Sequence, residues 1–350
     1  MLLEGGLDLP KVVSLFSGAG GLDLGYRDAG FSLAFAVDNS PFAIKTHHRN
    51  FPATKSVAAD LVKLRPSGVL RHLASVLSPG ESIGVIGGPP CQGFSRANTR
   101  SVASDPRNRL PLLYLEIVEK LQKQYDVQFV LFENVQGIRD TKHADSFKEI
   151  LSKFGKIGLH ARVDVCSALD FGVAQTRNRV IVSGFSSPEA AAAFVPSKVR
   201  TRKKLTVRSV IGGLPAPAYF SRGLLPTEIP HHPNHWTMRP VSARFADPDG
   251  ASAQGGRSFR RLAWDKPSPT IAFGHREIHV HPEGRRRLSI YEALLLQGFP
   301  PDFVLEGTLS AQVEQVSNAV PPPMARALAE ATQKALDFAA IGESGDVLIA

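Results

Sequence analysis

A cysteine follows two glycines and two prolines in Gly87-Gly88-Pro89-Pro90-Cys91, and it is one of 2 cysteines in the chain. The prolines hold φ near one value and bias the residues before them away from helix, so Cys91 stands on a stiff turn behind the apolar run "IGVI" (83–86). Stiffness suits a nucleophile. A second chemical group, Glu133 with Asn134 beside it, follows the wholly apolar run "VQFVLF" (127–132). Desolvation at such a place raises a carboxyl pKa and lets it act as an acid. A third is "QTRNRVIV", where Arg177 and Arg179 stand two apart at the opening of a strand and point the same way. A thiol, an acid and a fixed guanidinium, with no histidine base beside the thiol, do not make a hydrolase. They suit attack on a polarised aromatic ring. Cys166 ends an apolar strand and reads as a small buried hydrophobe.

A second constellation lies near the amino end. "VVSLFSGAGGLDLGY" is a strand, a glycine turn and a helix start, which turns backbone amides and a helix dipole toward whatever lies above it. A dinucleotide fingerprint wants a third glycine at position 23, where this chain has Asp23, a carboxylate that would repel phosphates. Asp38 closes the next strand, where it can accept ribose hydroxyls, and Asp60 in "VAADLV" can take an adenine amino group. A cationic nucleoside without phosphates, such as S-adenosylmethionine, fits this set better than NAD. Read by itself, the glycine turn is also consistent with a plain tight turn.

These groups need a scaffold. Strands are expected at 11–16, 33–37, 83–86, 127–132, 160–166 and 179–184, alternating with helical patterns that begin near Ser, Asp or Pro. That is a doubly wound α/β domain with a largely parallel sheet over residues 1–189, each chemical motif falling at a strand's carboxyl end. Periodicity then weakens, and residues 190–288 read as a second, smaller, loop-rich domain. Residues 289–340 read as a hinge and a closing helix returning to the first domain, with 341–350 as a loosely held tail. The 350 residues, 43% hydrophobic and 21% charged, can build such a core. No apolar run approaches the roughly 18 residues of a membrane span. Two cysteines suit a reducing compartment, so a cytoplasmic location is expected, and a net charge of +9 favours a polyanionic partner.

The ordered set "FSGAGG", "VDNS", "AADL", "PPCQGFS", "RNRL", "FENVQG", "QTRNR", "KPSPTI" and "SNAVPPPMARAL", spread over residues 11 to 334, resembles the bacterial cytosine carbon-5 DNA methyltransferases. The resemblance implies a Rossmann-like, S-adenosylmethionine-dependent methyltransferase fold whose smaller domain recognises the target. It implies that Cys91 attacks carbon 6 of a flipped-out cytosine, that Glu133 donates to ring nitrogen 3, that Arg179 holds the carbonyl oxygen, that Asn134 orients the thiol turn and that Arg177 meets a phosphate. Phe16, Gly18, Gly20, Leu22, Asp38, Asn39, Asp60, Leu110 and Asn318 would line the cofactor pocket, with S-adenosylhomocysteine as product. Ser95, Arg96, Arg100, Gln175 and Arg177 would face double-stranded DNA, and 93–109 would form a closing loop over the base. A monomer is expected, with a cognate restriction endonuclease acting separately.

Three other readings stand beside this one: the same chemistry on transfer RNA, though the cysteine-phenylalanine-threonine tripeptide usual there is absent; an idle DNA-binding module; and an NAD-dependent oxidoreductase, which has no use for Cys91 beside Glu133. The histidines of "HHPNH" (231–235) and "HREIHVH" (275–281) invite a metal, but lack thiol or acidic partners at ligand spacing, so no metal is expected. "KPSPTI" (266–271) reads as a support for the small domain.

Overall fold

The computed structural model describes residues 8–90, 109–199, 205–247, 249, 259–271 and 279–346. The first half alternates β1 (Lys11–Leu15), α1 (Gly21–Asp28), β2 (Leu33–Asp38), α2 (Pro41–Asn50), β3 (Lys55–Ala58), α3 (Leu61–Leu73), β4 (Ser82–Gly87), α4 (Leu110–Leu121), β5 (Asp126–Val135) and α5 (Ala144–Lys156). Then come β6 (His160–Ser167), the short β7 (Gln175–Thr176), β8 (Asn178–Phe185) and α6 (Pro188–Ala193). Seven strands form one sheet in the order β3-β2-β1-β4-β5-β8-β6. Its pairs are parallel except those of β8, which runs antiparallel to both β5 and β6.

The six expected strands are present, and β3 is an addition. Its sequence, KSVA, is too short to show a period, and it forms as an edge strand against β2. Ser40 caps α2 by accepting from the Ala43 amide, with Pro41 in the first turn, and Asp60 caps α3 by accepting from Val62.

Alternation along the strands feeds two apolar layers. Val13, Val85, Val130 and Val182 pack with α3, α4 and α5 on one face, while Val12, Ile86, Leu131 and Ile181 pack with α1 on the other. The second face is completed by α10 (Pro322–Asp346), the closing helix, which runs on through Asp346 instead of ending near 340. At Gly25 an added Cβ would come within 2.3 Å of the Arg326 amide nitrogen, so α1 and α10 touch backbone to backbone.

Between them lie α7 (Val207–Ile211), the two-residue strands β9 (Ala218–Tyr219), β10 (Trp236–Thr237) and β11 (Ser268–Pro269), then α8 (Ile290–Leu296) and α9 (Leu309–Asn318). Their apolar core holds Trp236, Ile271, Leu294 and Phe303, but also Ala19, Leu24 and Phe51 from the sheet half. The loop-rich part thus packs directly behind the glycine turn.

Candidate active site

The carboxyl ends of β1 to β4 share one rim of the sheet, and the strand order reverses between β1 and β4. Doubly wound sheets bind ligands at such a point. β1 leads into a turn in which Phe16, Gly18 and Gly20 have φ of 55°, 54° and 88°. Glycine adopts these angles freely; Phe16, a non-glycine residue in the left-handed region, is half-buried and packs against the core of the sheet. The Gly18 amide donates to Asp38 Oδ2 at 3.0 Å and the Ser40 amide to Oδ1 at 2.8 Å. Two such bonds fix the carboxylate and leave it further acceptor capacity. Burial pushes the Asp38 carboxyl above its ordinary value, while the amides of Ser40 and Gly18 pull it down. Asp60 is fastened through Oδ1 to the Val62 amide at 2.9 Å. Leu22 is buried in α1, Asn39 is exposed after β2, Leu110 is half-buried at the start of α4 and Asn318 ends α9 exposed. The chain just beyond Asn318 abuts the turn: an added Cβ on Gly21 would lie 2.3 Å from the Val320 carbonyl oxygen.

Next along the rim, β4 ends in the turn that leads toward position 91. A Cβ at Gly87 would lie 2.4 Å from the Leu15 carbonyl oxygen, and one at Gly88 would lie 2.8 Å from Glu133 Oε2. The glycines therefore let the turn pass flush against β1 and against the acid. Asn134 Nδ2 donates to the Pro89 carbonyl at 3.2 Å. Glu133 is buried, and its Oε1 lies 2.7 Å from Arg179 Nε. The antiparallel course of β8 brings them together, since Arg179 pairs with Val135 at the end of β5. The expectation that each motif sits at a carboxyl end is corrected here: the arginines open a strand whose amino end lies on the same rim. Cys91, Ser95, Arg96, Arg100 and the segment 93–108 lie outside the described residues.

The model of the C-5 cytosine-specific DNA methylases matches residues 10–334. The chain belongs to that family. The methylase is therefore a DNA cytosine-5-methyltransferase dependent on S-adenosylmethionine, on the Rossmann-like fold expected for it. It is 33% identical to the type II methyltransferase M.MthTI of Methanothermobacter thermautotrophicus, covering 93% of this chain and 98% of that one. Against M1.HphI of Haemophilus parahaemolyticus the identity is 34%, over 92% and 86%. A prophage-encoded DNA modification methyltransferase of E. coli superposes with a TM-score of 0.73 at 25% identity, over 94% of this chain and 100% of that one. The DNMT2 of Spodoptera frugiperda, at 16% identity and a TM-score of 0.62 over 93% and 99%, shares the fold.

Several residues of the methylase stand elsewhere than expected. Arg177 is 1% exposed and donates through Nη2 to the Ser317 carbonyl at 2.8 Å, so it offers no solvent face to a phosphate. Gln175 is fully buried, its Nε2 3.3 Å from Gln297 Oε1, instead of facing DNA. The cause is the "KPSPTI" strand, which covers this segment: β11 pairs with β7, the Ser268 amide donates to Ala174, and the Thr270 hydroxyl donates to Thr176. Asp23 is fully buried against His47 and so forms no part of the rim surface. Gln297 was not foreseen. It donates to the carbonyls of Val316 and Ala319 at 2.9 and 2.7 Å and anchors the end of α9. Its signal was a lone amide closing the apolar helix "YEALLLQ" ahead of Gly298.

The histidines have structural work. His235 bridges the Ser289 hydroxyl and the Pro215 carbonyl at 2.9 and 2.8 Å, His232 stacks on Tyr291 with centroids 4.1 Å apart, and His279 reaches the Thr270 carbonyl at 3.1 Å. Burial pushes His232 down to about 4. Among the described residues no group of three potential ligands could hold a metal ion, and no helix is long and apolar enough to cross a membrane.

Proposed function

We propose that the methylase transfers a methyl group to carbon 5 of a cytosine flipped out of double-stranded DNA, with Cys91 as nucleophile, Glu133 as acid and Arg179 as the group that holds the base. The observation that carries this reading is the convergence of the Pro89 turn, Asn134, Glu133 and Arg179 at one place on the rim. The Cys91 thiolate adds to carbon 6 while Glu133 passes a proton to ring nitrogen 3, so that the electron pair is left on carbon 5. S-adenosylmethionine, when bound, supplies the methyl as an electrophile and leaves as S-adenosylhomocysteine. Water then takes the carbon-5 proton, the freed electron pair forms the ring double bond as the carbon 6–sulfur bond breaks and Cys91 leaves as thiolate, and nitrogen 3 returns its proton to Glu133, which restores aromaticity. In the free enzyme Arg179 rests on Glu133. Its Nη1 also donates to the Asn178 carbonyl at 2.8 Å, and an incoming cytosine carbonyl would give the guanidinium a further acceptor and bring nitrogen 3 to the acid.

Phe16, Gly18, Gly20, Leu22, Asp38, Asn39, Asp60, Leu110 and Asn318 would hold the cofactor. The fit is chemical: two fastened carboxylates behind adjacent strands accept hydroxyl and amino donors and favour a cation. The small domain, residues 190–288, would choose the target sequence. It presents exposed Tyr219, Phe220, Arg222 and Met238, and Arg239 stacks its guanidinium 5.4 Å from the Tyr219 ring centroid. Ser95, Arg96 and Arg100 would grip the DNA backbone, with 93–109 as the closing loop. The methylase would work as a monomer in a bacterial cytoplasm, and its resemblance to type II methyltransferases supports a role beside a separate restriction endonuclease.

The test is transfer of labelled methyl from S-adenosylmethionine to unmethylated duplex DNA and, in parallel, to transfer RNA. Label is expected as 5-methylcytosine in the DNA and is expected to vanish in Cys91→Ala while DNA binding persists. Turnover by Cys91→Ala would remove the covalent mechanism, and label in RNA alone would overturn the substrate.

A further inference from the structure

Asp23 lies in the first turn of α1, fully buried, with Oδ1 3.1 Å from Nε2 of His47 in α2. Nδ1 of the same ring lies 2.7 Å from the hydroxyl of Ser56 in β3. His47 is itself fully buried and stacks on Phe51 with ring centroids 4.4 Å apart. Three polar side chains from three elements, α1, α2 and β3, thus form one chain directly beneath the glycine turn. The turn rests on it: an added Cβ at Gly20 would come within 2.5 Å of the Phe51 ring and 3.1 Å of the His47 ring.

A buried acid beside a buried imidazole is no obvious source of stability, because apolar side chains of similar volume often serve as well or better. What directional bonds add is geometry. The chain joins the three segments that carry the polar residues of the proposed cofactor pocket. α1 begins at the turn of Gly18 and Gly20, α2 follows Asp38 and Asn39, and β3 leads into Asp60.

We propose that His47, held between Asp23 and Ser56, is a positioning residue for S-adenosylmethionine: it sets the relative placement of the glycine turn, Asp38 and Asp60, and so the affinity for the cofactor, without entering methyl transfer. The inference rests on the cofactor pocket proposed above.

The experiment measures the dissociation constant for labelled S-adenosylmethionine by equilibrium dialysis, together with kcat, both KM values and the melting temperature, on the full chain. His47→Phe keeps the stacking on Phe51 and removes both polar contacts. It is expected to raise Kd and KM for the cofactor about tenfold, the size of one lost buried hydrogen bond, with kcat at saturation and KM for DNA within about twofold of wild type. His47→Gln, whose amide can serve both neighbours, is expected to recover most of the loss. Ser56→Ala removes one end of the chain at a partly buried position and should give a smaller rise at an unchanged melting temperature, which keeps the proposal testable if His47→Phe does not fold. Unchanged cofactor affinity in both His47→Phe and Ser56→Ala would overturn the inference. So would a uniform loss of kcat, both affinities and melting temperature that His47→Gln fails to repair. Asp38→Asn is the control: if it binds the cofactor as wild type does, the pocket itself is wrong and the inference falls with it. If Asp38→Asn loses the cofactor and the His47 variants keep it, the inference alone fails.

Discussion

The sheet half and the loop-rich half of the methylase are held together by different means. In the sheet, alternating Val12/Val13, Val85/Ile86 and Val130/Leu131 send apolar side chains to both faces, and the strand ladders satisfy the backbone. In the other half the strands are two residues long, so side chains must satisfy much of what ladders would. Asn234 accepts from the Leu305 amide at 2.8 Å and donates to its carbonyl at 2.9 Å; the Trp236 indole donates to Gln312 at 2.8 Å; and Arg286 grips Glu292 through two bonds of 2.8 and 2.7 Å. The difference teaches where polar residues carry the fold and where they are free for chemistry. The buried polar groups named in the loop-rich half hold one segment to another, whereas at the sheet rim Glu133 and Asp38 belong to the proposed site.

The largest expected effect breaks this contrast on the structural side. Glu292 is 1% exposed, takes both Arg286 bonds and also accepts from the Ser289 amide at the start of α8. Glu292→Gln leaves the Arg286 charge buried without its counter-charge, a loss of about 3–5 kcal/mol for a broken buried pair. Thermal unfolding with limited proteolysis should show residues 205–288 cleaved first while the sheet stays protected. An unchanged melting temperature would show that the pair is dispensable.

The counterpart acts on chemistry alone. Gly88→Ala places a methyl 2.8 Å from Glu133 Oε2 while Arg179 holds the other oxygen. The acid must shift, and a displacement approaching 1 Å in a catalytic group costs about 10²-fold in rate. We expect that loss in kcat with little change in melting temperature, because the contact is with the tip of one side chain. Normal turnover would mean that the position of Glu133 is not critical.

These two variants also mark what could be read from the residues alone. The strands of the sheet and the grouping of Glu133 with Asn134 follow from local patterns, period and turn chemistry, which act over a few residues. The positions of Arg177, Gln175 and Asp23 depend on partners far along the chain: Ser317, Gln297 and His47. No local pattern encodes such a meeting. The antiparallel course of β8 is similar, since an apolar run carries no direction. The histidines of 231–235 resembled a metal site because burial and stacking on Tyr291 cannot be seen in the residues themselves.

A smaller effect follows from those histidines. His232 is pushed down to about 4, and His235, His279 and His281 are also lowered, each chiefly by burial. Unfolding returns each ring to its ordinary value of about 6.5, so the unfolded chain binds protons more readily. Stability from the neutral rings is therefore full above that value and is lost as pH falls from there toward 4. Hydrogen exchange at pH 7 and pH 5 should show protection lost first around 229–237 and 279–292. Earlier loss in the sheet strands would contradict the assignment.

The smallest expected effect concerns the second cysteine. Burial pushes the Cys166 thiol up to about 12, whereas Cys91 follows a turn built from Gly87, Gly88, Pro89 and Pro90 and pinned by Asn134. Reactivity follows the thiolate, so at pH 8 Cys166 has about one part in 10⁴ available. Iodoacetamide should label the folded chain at Cys91 and leave Cys166 unmodified until denaturant is added, and Cys166→Ala should keep methyl transfer within about twofold at a stability cost of about 1 kcal/mol. Rapid labelling of Cys166 in the native state would place it nearer to solvent than its 5% exposure allows and would weaken the contrast between the two thiols of the sheet half. Two thiols of the same composition are then told apart by where the chain puts them: Cys166 lies buried near the end of a core strand, whereas Cys91 directly follows a Gly-Gly-Pro-Pro run in the sequence.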